Sequence, residues 1–334
     1  MALEIGRTGY VGLAIEATAG TAEATPDIFV PFTACTLEEK HEPLMDISAR
    51  ASREVNYDAQ TGKKWGEGAV TMYLDASNIG YFLKLALGNE ANTAISAGPP
   101  TVNDHLFYAT VSGNAPKTAT LWLYRGSGVS VKRFTYATVD SLEVTIGTDG
   151  LAQAVANFIT DSPATVSAPT LTTTSGTLLT WKDMTFKFGD TTQAAEAATA
   201  NQVTNFNFTI NNNAEAIYRT PTTAGDSTPD LIRLGQLEIS GSYTLFLEDD
   251  TFLDYYTGLT KKSLVAQLTG GGLGSGYSEY LKCVFKSIVL QDKSIATGLE
   301  NYYAFTGNFK AIHSVNQAGF VDFYLRNSKS SLYA

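Results

Sequence analysis

Polar and apolar residues alternate along much of the chain. Asn205, Asn207, Thr209 and Asn211 interleave with Phe206, Phe208 and Ile210, the period-two signature of a strand with one wet face. A return strand follows, with Leu237, Ile239, Tyr243, Leu245 and Leu247 set against Glu238, Ser240, Thr244 and Phe246. Earlier in the chain, Val70, Met72 and Leu74 oppose Thr71, Tyr73 and Asp75 in the same way. Each return strand leads into a short run at helical spacing. Ser77 or Asn78 is expected to cap Ile79, Phe82, Leu83 and Ala86, with Gly88 as the stop; Asp250 or Thr251 caps Phe252, Leu253 and Tyr256, stopping at Gly258. Helices this short hold only by packing on a sheet.

The two regions also resemble each other. Gly68, Thr71, Leu74 and Asp75 align with Gly241, Thr244, Leu247 and Glu248 at one offset (241 − 68 = 173), which also pairs Leu37 with Ile210 and Leu44 with Ile217. A second block follows in the same order, setting Ser141-Leu142 over Ser287-Ile288 and Asn157-Phe158 over Asn308-Phe309. Order and spacing together predict a duplicated domain. The expected division is an N-terminal arm (1–26), a first module (27–160), a linker (161–176) rich in Ser, Thr, Pro and Ala, a second module (177–312) and a C-terminal tail (313–334). The fold class expected is mainly β: two tandem β-sandwich or barrel modules, each with one short flanking α-helix.

Composition narrows the function. The 334 residues carry Lys+Arg 23 against Asp+Glu 33, a net charge of −10, which argues against gripping nucleic acid through counterion release. Charged residues are only 17%, below the usual ~25%, as suits a β-rich assembly protein. No apolar run reaches the ~18 residues of a membrane span, and no secretory leader pattern is visible at the N-terminus. Cys35 and Cys283 are too few for a disulfide framework and read as buried thiols.

Catalytic chemistry has little to stand on. His41, His105 and His313 lie far apart, with no metal spacing and no G-x-S-x-G elbow. The glycine cluster from Thr269 to Gly276 runs into a strand-like sequence, so it reads as a hairpin loop and not a phosphate cradle. Asp249-Asp250 reads as helix capping. The expectation is therefore no enzyme, no cofactor and no metal.

Two long connections stand out. The segment Ala51–Trp65 carries Arg53, Tyr57, Lys63, Lys64 and Trp65; its counterpart Pro221–Arg233 carries Asp226, Asp230 and Arg233. Long connections in compact domains are usually functional, and Arg and aromatic side chains are what protein interfaces use. These eight residues are the expected contacts between subunits or between rings.

The opening Gly12-Leu13-Ala14-Ile15-Glu16-Ala17-Thr18-Ala19-Gly20-Thr21-Ala22, followed by Pro26 and Phe29-Val30-Pro31-Phe32, resembles the N-terminus of major tail tube proteins of long-tailed bacteriophages. The strand, long loop, Gly-bearing strand and short helix that follow are similar to the module of that family, in its two-module form. The resemblance implies a structural virion protein, assembled in the host cytoplasm, whose rings stack into a hollow tube for DNA delivery. Two modules per chain imply pseudo-hexameric rings of three chains. The implied partners are further copies of the chain, a tape measure protein, a tail terminator, and distal tail or baseplate proteins. Double-stranded DNA would pass through without specific binding. The lumen would be lined by Thr36, Glu38, Glu67 and Thr71 from the first module, and by Asn205, Asn207, Thr209, Glu238, Ser240 and Thr244 from the second. None of these ten is Lys or Arg. A carbohydrate-binding or adhesin-like β protein, suggested by 17 Tyr, 17 Phe and 3 Trp, and a hydrolase on a β scaffold stay open at this point.

Overall fold

The structure, a computed structural model, describes residues 8–333 apart from 49, 52, 97–100, 110–116, 127, 173–175, 221–226, 297–302 and 318. The chain is mainly β, with three α-helices among the described residues: α1 (Ile79–Leu87), α2 (Thr192–Ala197) and α3 (Thr251–Thr257). The first of these lies in the first half, the other two in the second.

Eight strand segments run side by side, all antiparallel. Their order is 34–41, Lys64–Tyr73, Gln153–Thr160, the C-terminal half of Val131–Gly147, Val203–Asn211, Glu238–Phe246, Ala304–Ala311 and the C-terminal half of Tyr277–Ala296. The two longest strands leave this sheet at their N-terminal halves. There Val131–Gly147 pairs with Ala119–Tyr124 and Tyr277–Ala296 with Lys262–Gly274, forming a second layer over the first. Apolar side chains between the layers form one continuous core across both halves. Its second-half portion is aromatic: Phe186, Phe206, Tyr243, Phe285 and Phe309 meet in edge-on, tilted and stacked pairs. These rings are spent on the core and not on an exposed aromatic face.

Strand pairings recur between the halves to the residue. Gly68 lies opposite Phe158, and Gly241 opposite Phe309. Val139 and Leu290 face those same phenylalanines, and a bulge follows each at once. Leu121 opposite Phe134 matches Leu264 opposite Phe285, again with a bulge just before. Both central glycines are required by close approach. A Cβ on Gly68 would lie 2.5 Å from the carbonyl oxygen of Thr36, and one on Gly241 2.3 Å from that of Asn207.

These registers correct the sequence alignment in two places. Ser141 corresponds to Asp292, not Ser287, because the block follows one offset throughout (309 − 158 = 151). Leu37 corresponds to Phe208, not Ile210, because Leu37 flanks Gly68 as Phe208 flanks Gly241. Leu44–Asp46 pairs with Asp58–Gln60 and Glu215–Ile217 with Leu231–Arg233, Leu44 opposite Gln60 as Glu215 is opposite Arg233. The first strands of these pairs therefore match at 171 and the second at 173. The two extra residues fall in the connection between the paired strands of the second hairpin, where length is cheap.

The expected division of the chain also changes. The N-terminal arm is not loose, since Tyr10–Ile15 is a strand pairing with Ala119–Tyr124 and Ile28–Val30. The linker contains Ala164–Val166, paired with the strand Val131–Gly147. The C-terminal tail contains Val321–Asn327, inserted between Tyr277–Ala296 of the second half and Val102–Ala109 of the first. That last partner belongs to a hairpin, Gly88–Ser96 with Val102–Ala109, which has no counterpart after α3. Alternation identifies strands, but it does not say which distant strand each one joins.

Buried polar groups fix several of these joins. Glu16, 1% exposed, accepts hydrogen bonds from the Thr118 and Thr120 hydroxyls (2.6 and 3.0 Å) and from the N–H groups of Gly20 and Tyr136 (2.8 and 2.9 Å). This is the structural work of the acidic residue in the N-terminal motif. Replacing Glu16 with Ala strands four donors, and it is expected to lower stability by about 3 kcal/mol or more, read as a shift in the urea midpoint. Ahead of α1, it is Asp75 and not Ser77 or Asn78 that does the capping: its carboxylate accepts from the N–H groups of Ser77 and Asn78 at 2.7 and 2.8 Å. Burial raises the Asp75 carboxyl above its usual value, and those hydrogen bonds oppose the rise. The glycine cluster ends in a tight turn at Ser275-Gly276, both at positive φ (51° and 82°), with Lys262–Gly274 paired up to that turn.

Candidate functional site: a polar sheet face with two open edges

One face of the eight-segment sheet covers the core; the other is wet. Burial alternates along every strand, so the wet face can be read off directly. It carries all ten residues expected in the lumen: Thr36, Glu38, Glu67, Thr71, Asn205, Asn207, Thr209, Glu238, Ser240 and Thr244. They sit beside one another across strands from both halves. Asn207 Nδ2 donates to Ser242 Oγ at 2.9 Å, Asn157 Nδ2 to Ser141 Oγ at 2.8 Å, and the Thr244 and Thr306 hydroxyls are 2.9 Å apart. The face is a lattice of short, mutually hydrogen-bonded side chains.

The sequence reading missed further residues on this face. Glu143 adds a carboxylate, and Asp292 lies at its edge. Two lysines, Lys40 and Lys310, also belong to it, and each is held by a glutamate: Lys40 by Glu38, and Lys310 by Glu238 at 3.2 Å. The Lys40 partnership draws the Glu38 carboxyl below its ordinary value. No arginine joins the face among the described residues. These members were legible only once the partner strands were known, since Gln153–Thr160 and the second half of Val131–Gly147 had been paired with no neighbour.

The long connections are β-hairpin arms rising from the rim of the sheet, and their expected contact residues divide. Lys64 and Trp65 belong to the strand Lys64–Tyr73, and the Trp65 indole N–H donates to Glu67 at 2.9 Å on the wet face. Lys63 lies 5.0 Å from the Tyr218 ring centroid, and the Lys64 N–H donates to the Ser227 carbonyl at 2.9 Å. The base of the first arm therefore rests on the second arm of the same chain. Asp230 pairs with Arg219, and Arg233 with Glu215 at 3.0 Å. Tyr57 stacks under Arg50 at 4.8 Å. Arg53 is exposed, and Asp226 lies outside the described residues. What the charge-based reading overlooked is apolar: Leu44, Met45, Ile47 and Val55 are 46–69% exposed on the first arm, whereas Ile232 of the second arm is buried.

Nothing among the described residues gathers three His, Cys, Asp or Glu groups at metal-binding distance. His105 is buried between the Glu90 carboxylate (2.8 Å) and the Lys329 carbonyl (3.0 Å). Cys35 and Cys283 are free thiols whose pKa values are raised by burial. No helix of the described residues is long and apolar enough to cross a membrane.

A comparison with curated proteins gives no match. The sequence model of the family described as phage tail tube protein, by contrast, matches residues 6–302, which is most of the chain. A polar sheet face, a duplicated pairing scheme and a family match over most of the chain agree, and the chain belongs to the phage tail tube protein family, a structural component of the virion tail.

Proposed function

We propose that this chain is a duplicated tube module, residues 8–166 and 178–327, and that three copies close into a ring of six modules. Rings stack into a hollow tube, and the wet sheet face becomes the wall of a conduit for double-stranded DNA. The observation that carries the reading is the eight-segment sheet itself. Its two halves are joined by antiparallel pairing of Ser141–Gly147 with Asn205–Asn211. Among the described residues the segments 34–41 and 288–296 have no second strand neighbour and so leave an open edge on either side, with one hydrogen bond from Arg125 to the Leu37 carbonyl. Open edges must be paired or covered, and a heterologous contact that closes by rotation gives a ring. A wall of hydroxyls, amides and carboxylates, with its lysines held by glutamates, repels DNA at short range and offers phosphates no free cation.

The tube's ends would meet a tail terminator and distal tail or baseplate proteins, and its bore a tape measure protein, with assembly in the host cytoplasm. Negative-stain images of the purified chain should contain rings or tubes, and the mass of a dissociated ring should equal three chains. Six chains per ring would sink the trimer; a chain that never assembles would sink the conduit.

A further inference from the structure

We infer that neighbouring copies join in one fixed strand register, set by charge, in which Lys40 of one copy lies opposite Asp292 of the next and Glu39 opposite Lys293. The inference rests on the ring reading above and specifies the contact that the reading requires.

The template lies within the chain. At the internal junction Ser141 faces Asn211, Leu142 faces Ile210 and Glu143 faces Thr209. Pairing inside each half maps both edges of this junction onto the open edges. Ser141 and Asp292 each follow a bulge and face Asn157 and Asn308 respectively. Phe208 and Leu37 flank Gly241 and Gly68 in the same way, which places Asn211 on Lys40 and Ile210 on Glu39. Carrying the junction across sets Asp292 against Lys40, Lys293 against Glu39 and Ser294 against Glu38.

The charges were not used in that mapping, yet they agree with it. Both directly opposed pairs are of opposite sign, and they lie on opposite faces of the sheet, Lys40 and Asp292 on the wet face. Alternation forbids a slip of one residue, which would turn Leu37 and Ile295 out of the core. A slip of two residues either way sets Asp292 against Glu38 or Glu42, a like-charge contact directly across the strands. Only the register inherited from the internal junction satisfies both the core and the charges. The internal junction has no such pairs: its corresponding residues are Ser141 with Asn211 and Leu142 with Ile210. Covalent continuity already fixes that junction, so charge is needed only where separate chains must find each other. Free in solution, Lys40 is held by Glu38, Lys293 lies 5.4 Å from the Tyr256 ring centroid, and Glu39 accepts from the Ser162 hydroxyl at 3.2 Å; the contact between copies would exchange these partners.

Two experiments test the register. In the first, Glu38→Cys with Ser294→Cys in one chain should form chain-to-chain disulfides in assembled rings under mild oxidation, because opposed strand residues fall within disulfide reach. The control Thr36→Cys with Ser294→Cys, two residues out of register, should not. Stronger linking in the control would overturn the proposal. In the second, Lys40→Asp and Asp292→Lys alone should each cut the fraction of chain in rings about tenfold, with monomer melting unchanged, and the double variant should recover most of it. A double variant no better than the worse single would also overturn it. Wild-type rings without the 38–294 link would sink the register while leaving the tube reading intact; a wild-type chain that never forms rings would take both down.

Discussion

Replacing Ile47 and Val55 with Asp is expected to leave the monomer folded and stop tube growth. Both side chains lie on the first hairpin arm, 69% and 64% exposed, beside Leu44 at 60% and Met45 at 46%. An apolar group of this size on an arm raised from a sheet rim marks an interaction surface. Among the described residues the second arm has no such group, and it leans instead on the base of the first through Lys63–Tyr218 and Lys64–Ser227. In the ring proposed above, the first arm is expected to meet a neighbouring copy, in the same ring or the next. Burying a Val or Ile side chain contributes roughly 1.5–3 kcal/mol, so losing two per contact weakens each by at least about 3 kcal/mol, a factor of more than about a hundred in the concentration needed to assemble. Putting carboxylates there adds a desolvation cost. Sedimentation should find monomers at concentrations where the wild type forms tubes, with the melting temperature unchanged. Normal tubes would place the arm outside the assembly contacts.

A second large effect is expected from reversing charge on the wet face. With Glu67, Glu143 and Glu238 replaced by Lys, tails should still form, because these side chains point away from the core and away from the open edges. DNA ejection should slow severalfold and become salt-dependent. Each phosphate newly held by a lysine adds about 0.9 to the slope of log affinity against log salt, and the Glu238 change also frees Lys310 from its partner. Ejection timed at low and high salt reads this directly. Identical rates from intact particles would place the face outside the bore.

The wet face could be read from sequence because strands have a period of two. Six residues assigned by alternation and four carried over by the repeat share one surface, because the two-residue error in the offset of the first strand preserves its parity. The arms were located by length, and their contact residues were chosen as charged and aromatic groups; of these, Lys63, Asp230 and Arg233 meet partners within the chain. The apolar quartet gave no periodic signal, since a three-residue strand is too short to show one. The N-terminal motif was seen as a resemblance, and the reason for Glu16 became visible only with Thr118, Thr120 and Tyr136 around it. Partners a hundred residues apart leave no local trace. The same limit explains the misplaced arm, linker and tail, each of which holds a strand whose neighbour is remote in sequence.

The strand Val321–Asn327 carries a consequence for the order in which the molecule forms. Arg326 binds Asp104 through two hydrogen bonds of 2.6 and 2.7 Å, Asn327 reaches the Ala76 carbonyl, and Tyr333 packs against Gly80 of α1 with its N–H on Glu90. On the ribosome, the first half emerges with the edge of Val102–Ala109 uncovered and α1 missing its cover, and both wait for more than two hundred further residues. Contacts of such separation close late. A nascent chain therefore lacks these contacts until Val321–Asn327 has emerged, and in the proposed tube a half-made subunit would enter assembly without them.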